Sequence, residues 1–270
     1  MNVGALRYAS RMATITPDVL VTMIENFTLG GRSLQVEIGV SEIGMSCQRC
    51  VARKMAEFEK SRKVSSFRTT IGRYFHEGVA ADFEKVFTNG EMLIENKLLV
   101  HRYKGWTLRG SCDVFLPNEG HGTVLDWKCV GDDTLTAMRK ASDNGDLPKD
   151  QYVIQGHLYG LGWELAGHDV ENICIFFVPA NKGDLRRYHV AFEFPYDRSI
   201  AAKALANVEG MIDEAETDGW DAVVRRRVPE FGCLSCPTYE AVDNPVYDLV
   251  FPENKRSTLK KVHSERIRRS

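Results

Sequence analysis

No stretch of the 270 residues approaches the apolar length that a membrane-spanning helix needs. Met1 to Thr14 carries basic side chains but lacks the apolar segment of a secretory signal, so the sequence predicts a cytosolic protein with no membrane partner. Internal repeats and low-complexity tracts do not stand out. A large charge of one sign is also missing: 35 Lys and Arg stand against 37 Asp and Glu, for a formal net charge of -2. The overall basic excess common in DNA-binding proteins is therefore absent, and local distribution matters more. Arg225-Arg226-Arg227 is one basic run. The segment from Lys255 to Arg269 is another, with Lys255, Arg256, Lys260, Lys261, Arg266, Arg268 and Arg269 against only Glu265. It reads as a solvated, partly disordered end, with phosphate contact as the alternative. A disulfide framework is not expected in a long chain without a secretory signal, although there are seven cysteines. Cys112, Cys129 and Cys174 sit singly in apolar segments and read as small buried hydrophobes.

What is present is ordinary globular composition, 43% hydrophobic and 27% charged, enough for one large domain or at most two small ones. Residues 1–40 read as a helical extension in which Thr16-Pro17-Asp18 starts a short helix. Residues 41–240 read as the main domain and 241–270 as a basic tail. Ser41 caps a helix that carries Cys47 and Cys50 and runs to about Lys60. Thr70 starts another that reaches about Phe87. Leu93 to Val100, Thr107 to Leu116 and Thr123 to Val130 read as strands. Gly131 to Pro148 is polar and contains glycine, which predicts a loop. Gln151 to Leu165 is apolar at helical spacing, Ile173 to Pro179 and Tyr188 to Phe194 are strands, and Tyr196 to Glu216 is helical. Consecutive strands flanked by helices predict an α/β sandwich with a central mixed sheet.

Chemistry concentrates on one hairpin. Asp113 ends one strand, Asp126-Trp127-Lys128 lies on the next, and Pro117-Asn118-Glu119-Gly120 lies between them. If Glu119-Gly120 is a two-residue loop, Asn118 pairs with His121 and Asp113 falls opposite Asp126, on the same face of the sheet. Lys128, two residues on, points to that face as well. Two carboxylates so placed repel unless a cation or proton lies between them, which suits a hard divalent ion such as Mg²⁺. An acidic-x-Lys triplet alone is a weak signal. Glu95-Asn96-Lys97 and Glu253-Asn254-Lys255 share it, and both read as surface charge pairs.

In order, the chain carries Gly72-x-x-x-His76 on a helix, Gly110-x-x-Asp113, Asp126-x-Lys128, and Gln155-x-x-x-Tyr159 on a helix. This series resembles the RecB-like exonuclease branch of the PD-(D/E)xK nucleases, from roughly Ser41 to Cys236. The resemblance implies a restriction-endonuclease-like core. It implies that Asp113, Asp126, the Trp127 carbonyl and His76 hold Mg²⁺ or Mn²⁺, with Asp113, Asp126 and Lys128 as the catalytic set. Lys128 would orient the attacking water and stabilise charge in the transition state. Gln155 and Tyr159 would stand on one helix face near the cleft and the DNA backbone, or form a helix-to-sheet contact.

Cys47-x-x-Cys50 and Cys233-x-x-Cys236 each place two thiolates within reach of one metal centre. Four thiolates suit zinc or an iron-sulfur cluster, and spacing does not choose between them. The resemblance extends to CRISPR-associated and phage-type relatives that bracket this core with cysteines holding a 4Fe-4S cluster. Their pattern has one cysteine before the core and three after, whereas this chain has two and two, which keeps zinc as the alternative. In either case the cysteines would tie the ends of the nuclease core together. The implied activity is hydrolysis of DNA, at ends or in single strands, in recombination or repair, with a bacteriophage as the implied setting. A homo-oligomer is compatible with it. An endonuclease or flap nuclease, or a catalytically silent zinc-held DNA- or protein-binding module, are the alternatives. The complete set Asp113, Asp126 and Lys128 favours an enzyme.

Overall fold

A computed structural model describes residues 38–58, 67–87, 90–118 and 121–231, with positions 233, 235, 236 and 239. Nearly all of the expected N-terminal extension, the tail from 241 onward and the hairpin tip Glu119-Gly120 lie outside the described residues. So does the Glu253-Asn254-Lys255 triplet.

In chain order the elements are α1 (Val40–Ile43), α2 (Gln48–Met55), α3 (Phe67–Val86), β1 (Leu93–Tyr103), β2 (Trp106–Leu116), β3 (Gly122–Val130), α4 (Asp132–Asp143), α5 (Asp150–Leu165), β4 (Val170–Pro179), α6 (Leu185–Tyr188), β5 (Val190–Pro195), α7 (Arg198–Asp218) and α8 (Trp220–Arg226). The five strands form one sheet in the order β1-β2-β3-β4-β5. Neighbours are antiparallel except β3 and β4, whose parallel pairing is bridged by α4 and α5. This is the expected α/β architecture, a mixed sheet flanked by helices. Among the described residues no helix is long and apolar enough to cross a membrane.

Local chemistry explains the joints. Lys104 and Gly105 both have positive φ, which makes the two-residue turn that lets Tyr103 pair with Trp106. The central strands bury Val114, Phe115, Val124, Ile173, Ile175 and Phe177 completely. Helix α5 is buried on most sides, as a helix apolar all round must be, and packs on β1, β3 and β4 while α1 and α7 cover it. It can lie so close because Gly156 faces the sheet: a Cβ there would come 2.6 Å from Ile173 Cγ2. Helix α3 packs on β1 and β3, where Phe75, Phe83 and His76 surround the Trp127 ring edge-on.

Two expectations are corrected. The segment 131–148 is not a loop, since it contains α4. Gly131 is its N-cap, Asp132 and Asp133 favour the first turn, and Leu135 and Met138, three residues apart, bury one face. The single helix expected from Ser41 to about Lys60 is two, with Gly39 in the capping role assigned to Ser41. The break falls at Gly44, where a Cβ would come 3.0 Å from Gln151 Cα and 3.0 Å from Ile154 Cβ, so the approach of α5 forces the chain to turn. The turn makes Cys47 the N-cap of α2.

Gly110 is fixed by the same kind of crowding. A Cβ there would lie 2.6 Å from Val40 Cγ2 and 3.0 Å from Tyr159 Cε1. Gly110→Ala should therefore destabilise the fold by about 1–3 kcal/mol, the usual cost of overpacking, and a thermal melt that matches the wild type would refute this steric role. Gly72, the other glycine of the motif series, has no described atom within 4 Å of its would-be Cβ, so packing does not demand it.

Candidate active site and cysteine cluster

The β2–β3 register follows the turn. His121 N–H donates to the Asn118 carbonyl at 2.9 Å, and Val114, Phe115 and Leu116 pair with Leu125, Val124 and Thr123. One further step in this register brings Asp113 opposite Asp126, but the backbone ladder ends just before them. Where it ends, the Trp127 N–H bonds to a side chain instead, reaching Asp113 Oδ2 at 2.9 Å.

The two carboxylates, both buried, have different companions. Asp126 is 1% exposed. Its Oδ1 accepts from Gln155 Nε2 at 3.0 Å. Its Oδ2 has Lys128 Nζ at 2.6 Å, yet no donor in the described residues meets it with hydrogen-bond geometry, so this contact is ionic rather than directional. Burial pushes the Asp126 carboxyl up to about 6, against the pull of Lys128 and with added repulsion from Asp113. The Lys128 ammonium also lies 5.9 Å from the centre of the Tyr152 ring.

Asp113 belongs to a second group with His76 and Glu95, whose ligating atoms all lie within 4.8 Å of one another. His76 Nδ1 is 3.1 Å from Asp113 Oδ1 and accepts the Trp127 indole N–H at 3.1 Å. In that tautomer Nδ1 has no proton for the carboxylate; when the ring is protonated, Nδ1 donates to Asp113 instead. Burial opposes charge on His76, but the hydrogen bond and charge of Asp113 outweigh it and raise its pKa. Asp126 stands outside this three-residue group, so the geometry is two adjoining donor sets rather than one symmetric pair.

Glu95 is the residue that the sequence reading passed over. Ile94 pairs with Val114 and Asn96 with Cys112, so Glu95 stands between them at the level of Asp113. Its φ of 49° is left-handed, rare for a non-glycine strand residue and worth a functional look. Loss of solvent and the charge of Asp113 raise its pKa. Counting pairs back from the Lys104-Gly105 turn would put Glu95 opposite Val114. A bulge between Leu99 and His101 moves it one place, to Asp113. Gln155 and Tyr159 are both buried, 4% and 5% exposed, with Gln155 Nε2 3.5 Å from the Tyr159 hydroxyl. They make the helix-to-sheet contact that orients Asp126 and pack the site from beneath, rather than presenting a surface to DNA.

The four cysteines of the CxxC pairs converge. Cys47 is the N-cap of α2 and Cys50 lies one turn on, which aims both at Cys233 and Cys236. The Sγ atoms of Cys47 and Cys236 are 3.6 Å apart, those of Cys50 and Cys233 3.6 Å, and those of Cys50 and Cys236 3.4 Å. All four lie within 4.8 Å of one another, a group able to hold a metal. As thiols they compete for protons: hydrogen bonds from Cys236 and Cys50 hold Cys47 low, and the bond to Cys47 pushes Cys236 up to about 12. Of the other three cysteines, Cys112 is buried as expected, while Cys129 and Cys174 are only half-buried.

No protein-family model matches the sequence, and no curated protein matches it. Among solved structures the chain is similar to an alkaline exonuclease from Laribacter hongkongensis, at 12% identity and a TM-score of 0.49, over 71% of this chain and 93% of that one. It is also similar to a putative exonuclease from Eubacterium rectale, at 15% identity and a TM-score of 0.45, over 90% of this chain and 100% of that one. A phage-related exonuclease from Haemophilus somnus matches at 16% identity and a TM-score of 0.41, over 66% of this chain and 96% of that one.

Proposed function

We propose that this protein is a cytosolic deoxyribonuclease that hydrolyses phosphodiester bonds with Mg²⁺ or Mn²⁺, acting as an exonuclease in DNA recombination or repair. The observation that carries the reading is the convergence of the His76, Glu95 and Asp113 donor atoms within 4.8 Å of one another, beside the buried Asp126 whose Oδ2 has the Lys128 ammonium at 2.6 Å. Lys128 offsets the charge of Asp126, whereas the Asp113 and Glu95 carboxylates beside it repel each other unless a cation or protons lie between them. Hard oxygen donors with one imidazole fit Mg²⁺ or Mn²⁺.

Asp113, Asp126, His76 and the Trp127 carbonyl would hold the ion, with Glu95 at the edge of the set. When bound, such an ion lowers the pKa of water and offsets charge on a phosphate. The chain's own groups do the rest. Lys128 orients water and stabilises the negative charge that develops on the phosphorus oxygens. Gln155 fixes the rotamer of Asp126, and Trp127 fixes Asp113 through its backbone N–H and His76 through its indole N–H. Linear single-stranded DNA is the preferred substrate in this reading, and a phage source suits it.

The test is digestion of end-labelled linear single-stranded DNA beside a covalently closed circle, in Mg²⁺, Mn²⁺ and EDTA. Metal-dependent loss of the linear substrate alone is the expected result. Cutting of the circle would replace it with an endonuclease or flap nuclease. No digestion in either metal, from folded protein with its cysteine site filled, would make the chain a binding scaffold.

A further inference from the structure

We propose that Cys47, Cys50, Cys233 and Cys236 hold a single tetrahedral zinc ion and not an iron-sulfur cluster. The question is independent of whether the chain cleaves DNA, because the two sites share no residue.

The argument is one of size. An ion bound by four thiolates at about 2.3 Å holds the sulfurs about 3.8 Å apart. In a 4Fe-4S cube each cysteine binds a different iron and points outward, which spreads the four cysteine sulfurs to about 6 Å apart. Here three of the separations are 3.4, 3.6 and 3.6 Å, and every pair lies within 4.8 Å. The interior admits one ion and has no room for four irons and four sulfides. A two-iron cluster fails as well, since its terminal sulfurs on opposite irons are also far apart. The short separations here run between the two CxxC pairs in three combinations, 47 to 236, 50 to 233 and 50 to 236, so no division into two distant pairs is available. Nor is the group a pair of disulfides, because a sulfur–sulfur bond is about 2.05 Å long.

Charge gives a second argument, that the sulfurs are metal-bound thiolates and not thiols. Arg53, on the helix that supplies two of the cysteines, is 0% exposed. Arg53 donates through Nη1 to the Cys236 carbonyl at 3.3 Å and lies 5.1 Å from the centre of the Tyr239 ring. Its Nε and Nη2 have no hydrogen-bond partner among the described residues. The buried Arg53 guanidinium beside four neutral thiols would be poorly compensated. A zinc ion with four thiolates carries two negative charges, which offset the charge of the Arg53 guanidinium.

The architecture assigns the ion a structural role. All four coordination positions are taken by protein sulfur, which leaves no open position for substrate. The ion would staple α2, which packs on α8, to the segment beyond Glu230.

The experiment is metal analysis of the full-length protein, produced with iron and zinc both supplied and purified without air. One zinc per chain with no acid-labile sulfide and a colourless solution is expected. Cobalt introduced in place of zinc should give the intense visible bands of a tetrahedral tetrathiolate site, and added zinc should bleach them. Iron in any stoichiometry at the site, with or without acid-labile sulfide and a brown chromophore, would overturn the proposal. Folded protein that carries no metal would overturn it equally.

Discussion

Asp126→Asn should lower metal-dependent cleavage of linear DNA by about 10²–10³-fold, the scale on which removing one group that stabilises transition-state charge acts. The same substitution should make the metal-free protein more stable at neutral pH. Burial raises the Asp126 pKa from its ordinary 3.8 to about 6. The folded, metal-free protein therefore keeps a proton that the unfolded chain gives up in that window. The stabilising contribution is full below pH 3.8 and is lost as pH rises through 6. Asparagine is neutral throughout and escapes that loss. Melting curves in chelator should show the variant above the wild type on the alkaline side of the window, with the gap closing on the acid side. Full activity in the variant would remove Asp126 from the catalytic set. Lost activity with an equally lost melting temperature at every pH would mean that the residue is merely structural.

Cys236→Ser should act in the opposite way, on stability far more than on chemistry. Cys236 is fully buried and its sulfur touches those of Cys47 and Cys50. Loss of one ligand of four should release the metal and cost about 4 kcal/mol, as loss of a structural metal typically does. In a domain of this size that lowers the melting midpoint by roughly 10 °C. Molecules that remain folded should cleave DNA at a rate near the wild type, because the cysteine cluster and the Asp126 site have no residue in common. A variant that keeps both its metal and its melting temperature would show that Cys236 is not a ligand. The two substitutions together separate a functional site that destabilises the fold from a structural site that sustains it.

Much of this was legible in the sequence because it depends on short-range rules. Turn chemistry at Asn118 sets the β2–β3 register, and side-chain alternation then carries Asp126 and Lys128 to one face. Helical spacing puts Gln155 and Tyr159 on one side of α5. The CxxC spacing pairs cysteines within one turn, so a metal group was foreseeable from residue types alone.

What stayed hidden depends on contacts between distant segments. The helix expected through Gly44 breaks because α5, more than 100 residues away, needs the space. Helix α4 looked like a loop because it carries only Leu135 and Met138 as buried anchors, and their value depends on the sheet they cover. Glu95 looked like a surface charge because its place beside Asp113 depends on a one-residue bulge. That bulge spans Val100, which is completely buried and within 3.3 Å of the Cβ position that Gly162 leaves open. The sequence by itself thus determined the α/β class, the Asp113–Asp126–Lys128 hairpin and the presence of a four-cysteine group. Tertiary structure alone decided that Glu95 joins His76 and Asp113, that Gln155 is spent on holding Asp126, and how far apart the four sulfurs stand. Periodicity and turn chemistry act over a few residues, whereas bulges, close packing and ligand separations are set by which distant side chains compete for the same space.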